Sequence, residues 1–295
     1  MVSIVGRPNV GKSTLLNRIL NEKIAIVSKV PQTTRHQIRG IYTDTRGQII
    51  FVDTPGLHKP KDSLGQWMNV TSEDTMKEAD CIVHLVDSSE PTGKEEEMVV
   101  SRLKEINVPI IVGLNKIDLK GKYVDQYIAL WEKTKGQPIN TLNSMTLLPL
   151  SSKTGFNTDK LLDILFGLLP KGPALYPSDT ISDMPQKLAV ADIIREKLLW
   201  VMREEVPHSL AVIVEEMTPR KEKLIYVRAV ILVERESQKE IVIGKKGMVL
   251  KKVGTLARDE LESLLQSKIF LDLYVKSEKN WRDNVSILKE LGCGD

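Results

Sequence analysis

A chain of 295 residues, 41% hydrophobic and 27% charged, has the balance of a folded globular protein with room for two domains, which excludes a largely disordered or fibrous chain. Its net charge of +3 says little by itself, and no apolar run reaches the ~18–20 residues that a spanning helix needs. The two cysteines, Cys81 and Cys293, form no metal-ligand pattern, and a strand directly after Met1 leaves no room for a signal peptide, so two free thiols in a reducing cytoplasm are expected.

The first element is a short apolar strand at 2–5. It runs into Gly6-Arg-Pro-Asn-Val-Gly11-Lys12-Ser13, which fits G-x-x-x-x-G-K-[ST] and opens a helix over 12–20. Strand, glycine loop and helix together are the context in which this motif cradles phosphate. Gly6 and Gly11 let successive N–H groups turn inward, and the helix N-terminus adds partial positive charge. Lys12 reaches the β and γ phosphates, and Ser13 offers a hydroxyl to Mg²⁺. Asn9, Val10 and Thr14 complete the candidate nucleotide contacts, and Asn9 is in addition a candidate ligand for K⁺ near the bridging oxygen.

A polar tract, Pro31-Gln-Thr33-Thr34-Arg35, follows the helix. A threonine hydroxyl here can complete a Mg²⁺ shell while the γ-phosphate is present, ordering the segment in the triphosphate state. Thr34 is the favoured ligand over Thr33. The next strand, 49–52, ends in Asp53-Thr54-Pro-Gly56. At the carboxyl end of a parallel strand Asp53 is placed to hold Mg²⁺, and Gly56 can present its N–H to the γ-phosphate. Many GTPases carry a water-orienting Gln directly after this motif; here the residue is Leu57, so intrinsic hydrolysis is expected to be slow. Lys12, Thr34 and Gly56 are the residues expected to act on the reacting phosphate.

Strands at 81–86, 109–114 and 147–150 are continuous apolar runs, as expected when helices cover both faces of a parallel sheet. Helices are expected over 95–106, 124–135 and 158–169. Asn115-Lys116-Ile117-Asp118 after the second of these strands selects the base. The Asp118 carboxylate accepts from guanine N1 and N2, a pattern adenine does not offer. Asn115 braces the loops and the stem of Lys116 covers the ring. Ser151, Ser152 and Lys153 close the pocket, with the Ser152 N–H expected near guanine O6. Residues 1–170 therefore read as a doubly wound α/β GTP-binding domain.

Four prolines at 170, 173, 177 and 185 mark 171–186 as a linker or a packed connector. Residues 187–295 form a second domain ordered as helix (188–203), two strands (210–216, 224–233), two helices around a glycine turn and a strand (269–275), with a tail helix after it. Residues 172–295 carry 20 Lys and Arg against 20 Asp and Glu, yet residues 241–258 hold five bases and no acid. Ile243-Gly244-Lys245-Lys246-Gly247, with Lys251 and Lys252, reads as a turn whose glycines let a sugar-phosphate chain approach and whose lysines attract it. Ile241 and Ile243 are expected to floor a groove for bases of single-stranded RNA.

The Gly-Arg-Pro-Asn-Val-Gly-Lys-Ser-Thr, Pro-Gln-Thr-Thr-Arg-His, Asp-Thr-Pro-Gly-Leu-His, Asn-Lys-Ile-Asp and Ile-Gly-Lys-Lys-Gly tracts together resemble the Era family of bacterial ribosome-assembly GTPases, as do Ile194-Arg-Glu-Lys-Leu and Arg203-Glu-Glu-Val-Pro-His-Ser. The resemblance covers nearly the whole chain. It implies a P-loop GTPase domain joined to a smaller α+β KH domain of type II, GTP/GDP and Mg²⁺ as ligands, and a monomer. It further implies binding to the 3′ end of 16S rRNA, action in 30S subunit maturation, and a cytoplasmic protein with peripheral contact to the inner membrane. Leu57 fits the family's hydrophobic residue at that position. Two other readings stay open at the level of sequence: an RNA-binding assembly module that holds GTP or GDP with little turnover, and a membrane-linked signalling GTPase with a structural KH-like appendage.

Overall fold

The computed structural model describes all residues except 29, 32, 58, 120–121, 203–208, 222 and 294–295. Gln32, His58 and the tract at 203–208, which contribute to the family resemblance, lie outside the described residues. The chain divides into two compact units, one of Met1–Ala25, Thr34–Lys61 and Gly65–Asp183, the other of Ile26–Thr33, Asp62–Leu64 and Met184–Asp295.

The first unit is built on a six-stranded sheet. In chain order its elements are β1 (Val2–Val5), α1 (Lys12–Leu20), β2 (Ile38–Asp44), β3 (Gly47–Asp53), α2 (Ser63–Glu78), β4 (Cys81–Asp87), α3 (Lys94–Leu103), β5 (Ile110–Asn115), α4 (Val124–Lys135), β6 (Met145–Pro149) and α5 (Thr158–Leu168). The strand order is β2-β3-β1-β4-β5-β6, parallel throughout except for β2. The central strands are apolar at every position because alternate residues face opposite helical layers. In β4, Cys81, Val83 and Leu85 pack with Leu15, Leu16 and Leu161 of α1 and α5. Ile82 and Val86 pack with Val99, Leu103 and Trp131 of α3 and α4 on the other face. The carboxyl ends of β1, β3, β4 and β5 all fall on one edge of the sheet, where Gly6, Asp53, Asp87 and Asn115 gather.

Two elements depart from the sequence reading, which has neither β2 nor α2. β2 is an edge strand lying antiparallel to β3, and the proline-bearing segment beyond α5 lies along it. Ile41 N donates to Ile181 O at 2.8 Å and Gly40 pairs with Ser182. Gln48 is bonded to the backbone of Leu175 and Tyr176. Through Asp183 this stretch is a packed connector and not a free linker.

The second unit contains α6 (Gln186–Val201), β7 (Ala211–Lys221), β8 (Leu224–Val233), α7 (Glu236–Ile243), α8 (Met248–Leu265), β9 (Lys268–Ser277) and α9 (Val285–Glu290). The sheet runs β7-β8-β9, with β8 antiparallel to β7 and parallel to β9. α8 buries Val253, Ala257 and Leu261, spaced four apart, against a core that includes Ile194, Leu198, Val227, Ile231 and Ile269. Helix–strand–strand–helix–helix–strand is the type II KH order. Helix bounds shift by one to three residues from the sequence reading, as helix ends do.

Candidate functional site

The loop between β1 and α1 is shaped by its glycines. A Cβ on Gly6 would sit 2.2 Å from Leu85 O, and Gly6 and Gly11 have φ of +158° and +106°. A Cβ on Gly11 would sit 2.5 Å from Asn115 Nδ2, so only glycine lets β5 close on this loop. Asn9 also takes a left-handed conformation, at φ 64°, which short polar side chains tolerate. Lys12 leads α1 and is 6% exposed. Its ammonium donates to Gly6 O at 3.0 Å and Arg7 O at 2.9 Å, folding the side chain back over the loop. Burial lowers its pKa to about 8, against the opposing pull of Asp53 and Glu96.

Three oxygens from three separate motifs converge beside it. Ser13 Oγ donates to Asp53 Oδ2 at 2.6 Å, the Ser13 and Thr34 hydroxyls lie 3.0 Å apart, and Thr34 Oγ1 is 3.3 Å from the same carboxylate oxygen. Asp53 is fully buried, and burial pushes its carboxyl upward against the Lys12 charge and the two hydroxyls. Its other oxygen, Oδ1, is buried with no hydrogen-bond partner. A carboxylate with an unused buried oxygen beside two hydroxyls is a donor set that fits Mg²⁺, a hard cation bound by few protein oxygens. Thr33 turns elsewhere: its hydroxyl donates to Val30 O at 2.6 Å and its carbonyl accepts from Arg195.

The remaining residues of the Asp53 motif divide in two. The Thr54 hydroxyl donates to Ile4 O at 3.0 Å and is fully buried, so it braces β3 on β1. Gly56 passes so close to the loop that a Cβ would lie 2.8 Å from Pro8 N. Leu57 is fully buried in the cluster with Val5, Val86 and Tyr127.

At the end of β5, Asn115 is 1% exposed and bonded at both ends of its amide. Its Nδ2 donates to Val10 O at 2.6 Å and its Oδ1 accepts from Ser152 N at 2.8 Å. This bond corrects the expectation for Ser152: its N–H is directed at Asn115, while its buried hydroxyl has no partner. Val10 contributes backbone only, its side chain being buried. Lys116, at φ 60°, carries its ammonium to Asn9 O at 3.0 Å and to Asp87, so its stem runs from β5 over to the phosphate loop. Against the pull of burial, Lys116 and Ser89 hold the Asp87 carboxyl below its ordinary range. Asp118 stands exposed on the short turn after β5. Ser151 is buried, with its Oγ accepting from Thr154 N, and Lys153 is exposed with its carbonyl taken by Arg18. Thr14 is half-buried on α1.

Beneath the loop lies a cluster that the motifs do not contain. Arg7 Nη2 donates to Tyr127 OH at 2.8 Å, and Arg7 Nε pairs with Glu96 Oε2 at 2.8 Å. Glu96 Oε1 is 2.8 Å from His84 Nε2, and Trp131 Nε1 donates to His84 Nδ1 at 3.2 Å.

In the second unit α7 ends at Gly244, at φ 71°, where a Cβ would meet Val249 Cγ2 at 2.4 Å. Lys246 and Gly247 follow in left-handed conformations at 51° and 75°, turning the chain into α8. Lys245, Lys246, Lys251 and Lys252 are all exposed. The hydrophobic pair before the turn divides: Ile243 is half-buried against the core and Ile241 is exposed.

Compared with known proteins, residues 1–116 match the family described as 50S ribosome-binding GTPase and residues 205–282 match the KH domain. GTPase Era of Halothermothrix orenii is 43% identical over 291 residues, covering 99% of this chain and 97% of that one. The chain belongs to the Era family of GTPases. It is accordingly an enzyme that hydrolyses GTP. Two solved Era structures align along its whole length. One, Era in complex with MgGDPNP and nucleotides 1506–1542 of 16S ribosomal RNA, is 38% identical with a TM-score of 0.92, covering 100% of this chain and 98% of that one. The other, an Aquifex aeolicus Era variant bound to GDP and aluminium fluoride, is 37% identical with a TM-score of 0.90 and the same coverage. The Era likeness joins the phosphate loop and the Gly-Lys-Lys-Gly turn in one protein.

Proposed function

We propose that this Era GTPase is a nucleotide-controlled switch that binds the 3′ end of 16S rRNA through its KH domain and assists 30S subunit maturation. The observation that carries the nucleotide half is the convergence of Ser13, Thr34 and Asp53 beside Lys12. These residues would hold Mg²⁺, which neutralises phosphate charge when bound. Lys12 and the loop N–H groups hold the phosphates, and Thr34 senses the triphosphate because its hydroxyl sits on the same carboxylate as Ser13. Gly56 offers its N–H to the γ-phosphate. Asp118 reads guanine, Asn115 locks the base loop to the phosphate loop, and Ser151, Ser152 and Lys153 close the pocket over the base.

Buried Leu57 has no group to orient water. Asn9, exposed in the loop, is the residue we assign to a K⁺ that supplies charge at the bridging oxygen. Turnover in potassium should exceed turnover in sodium, and equal rates would remove that role.

The RNA half rests on the exposed lysines around the Gly244 turn and on the full-length likeness to the Era–RNA complex. Binding of a labelled 16S 3′-end fragment tests it. Reversing charge at Lys245 and Lys246 should weaken binding by ~10-fold or more and flatten the dependence of log K on log salt by roughly 1.4–2, since two contacts are lost. Unchanged RNA affinity would favour a signalling GTPase with a structural appendage. The protein acts as a monomer in the cytoplasm in this reading. Any contact with a membrane is peripheral in this reading; among the described residues no helix is long and apolar enough to cross one.

A further inference from the structure

Glu96 is a costly residue where it stands. It is fully buried on α3, within an apolar cluster of Val99, Val100, Leu103 and Tyr127. An apolar side chain of similar size would satisfy packing at lower desolvation cost. Its neighbours Glu95 and Glu97 are exposed, as charged helix residues ordinarily are. Glu96 Oε1 bonds with His84, while Oε2 lies 2.8 Å from Arg7 Nε as an ion pair in which neither atom has a hydrogen bond. The indole N–H of Trp131 can only donate, so His84 Nδ1 is an acceptor and His84 Nε2 carries the hydrogen directed at Glu96. The Arg7 guanidinium also reaches the Tyr127 hydroxyl, which lies 2.9 Å from Asp87 O and 3.1 Å from Glu90 O.

Arg7 is the residue after Gly6 in the phosphate loop. Its backbone carbonyl is one of the two that hold the Lys12 ammonium. A line of contacts therefore runs from α4 (Trp131) through β4 (His84) and α3 (Glu96) to the loop (Arg7) and its lysine. The loop backbone has positive φ at Gly6, Asn9 and Gly11, a conformation that the surroundings must hold.

We propose that Glu96 is a positioning residue for GTP binding, clamping Arg7 from below so that the phosphate loop keeps the shape its nucleotide requires. This rests on the reading of Gly6–Ser13 as the phosphate site. Glu96 does not touch the nucleotide; it acts through Arg7.

Fluorescent GDP and GTP titrations of the full-length protein test the clamp. Glu96→Gln keeps the volume and the acceptor for His84 but removes the charge opposite Arg7. It is expected to weaken both nucleotides by on the order of 10-fold or more and to lower the thermal midpoint. Arg7→Met combined with Glu96→Gln leaves no unpaired buried charge. It is expected to recover the thermal midpoint without recovering affinity, a split that a packing role does not produce. Wild-type affinity in either variant, recovery of affinity together with stability, or a double variant that does not fold would each overturn the proposal. Failure of the wild-type protein to bind GTP would instead sink the phosphate-site reading.

Discussion

Lys12 holds its charge in a place water does not reach, and that sets a pH limit on the site. Its ammonium titrates at about 8, so the form that attracts phosphate predominates below that pH and is lost progressively above it. Affinity of the nucleotide-free protein for GTP should fall as pH rises through about 8, from a Lys12 contribution that is full about one unit lower, measured by titration calorimetry at constant ionic strength. Asp118 supports an equally specific test. An amide there offers one acceptor and one donor in place of two acceptors. Asp118→Asn should lower GTP affinity by ~100-fold or more and raise affinity for xanthosine triphosphate, whose ring has a carbonyl where guanine has an amine. These residues were legible in the sequence because their chemistry is written at fixed spacing. Asn115 was legible as a brace, but the direction of its bond to Ser152 N was not. Arg7, Glu96 and His84 gave no signal. An arginine after a glycine, a glutamate in an acidic run and a histidine in an apolar strand each look ordinary until the fold buries them together.

Among the elements, the ones read correctly are those with one strong period. β4 and β5 are apolar throughout and α8 repeats its apolar residues every four, so each declares itself. α2 did not. Its buried side includes Met68, Ser72, Thr75 and Met76, and the polar pair breaks the apolar stripe; Ser72 is satisfied by Met68 O and Pro55 O. β2 is an edge strand, with exposed Arg39 and Thr43 among buried Gly40 and Ile41, directly after a polar tract that masks its start. The turn between α7 and α8 makes a prediction at this scale. At Gly244, Ala would combine a left-handed φ with a clash on Val249, so Gly244→Ala should cost about 1–3 kcal/mol of stability in denaturant unfolding. Leu57 makes another. Replacement by Gln puts an amide into an apolar cluster, so Leu57→Gln should lower stability by about 1–3 kcal/mol without raising GTP turnover. A gain in turnover would show that position 57 can face the phosphate.

At the scale of the whole molecule, a GTP-hydrolysing unit and a KH unit with an exposed basic turn share one chain. Order of elements, charge distribution and family likeness agree on both. What the chain does with the pair is decided by whether RNA at one unit changes chemistry at the other. The direct measurement is multiple-turnover phosphate release from GTP, with and without a 16S 3′-end fragment, in wild-type protein and in the Lys245→Glu, Lys246→Glu variant. A slow basal rate, stimulation by the RNA, and loss of the stimulation but not of the basal rate in the variant are expected. A rate that the RNA leaves unchanged would contradict this.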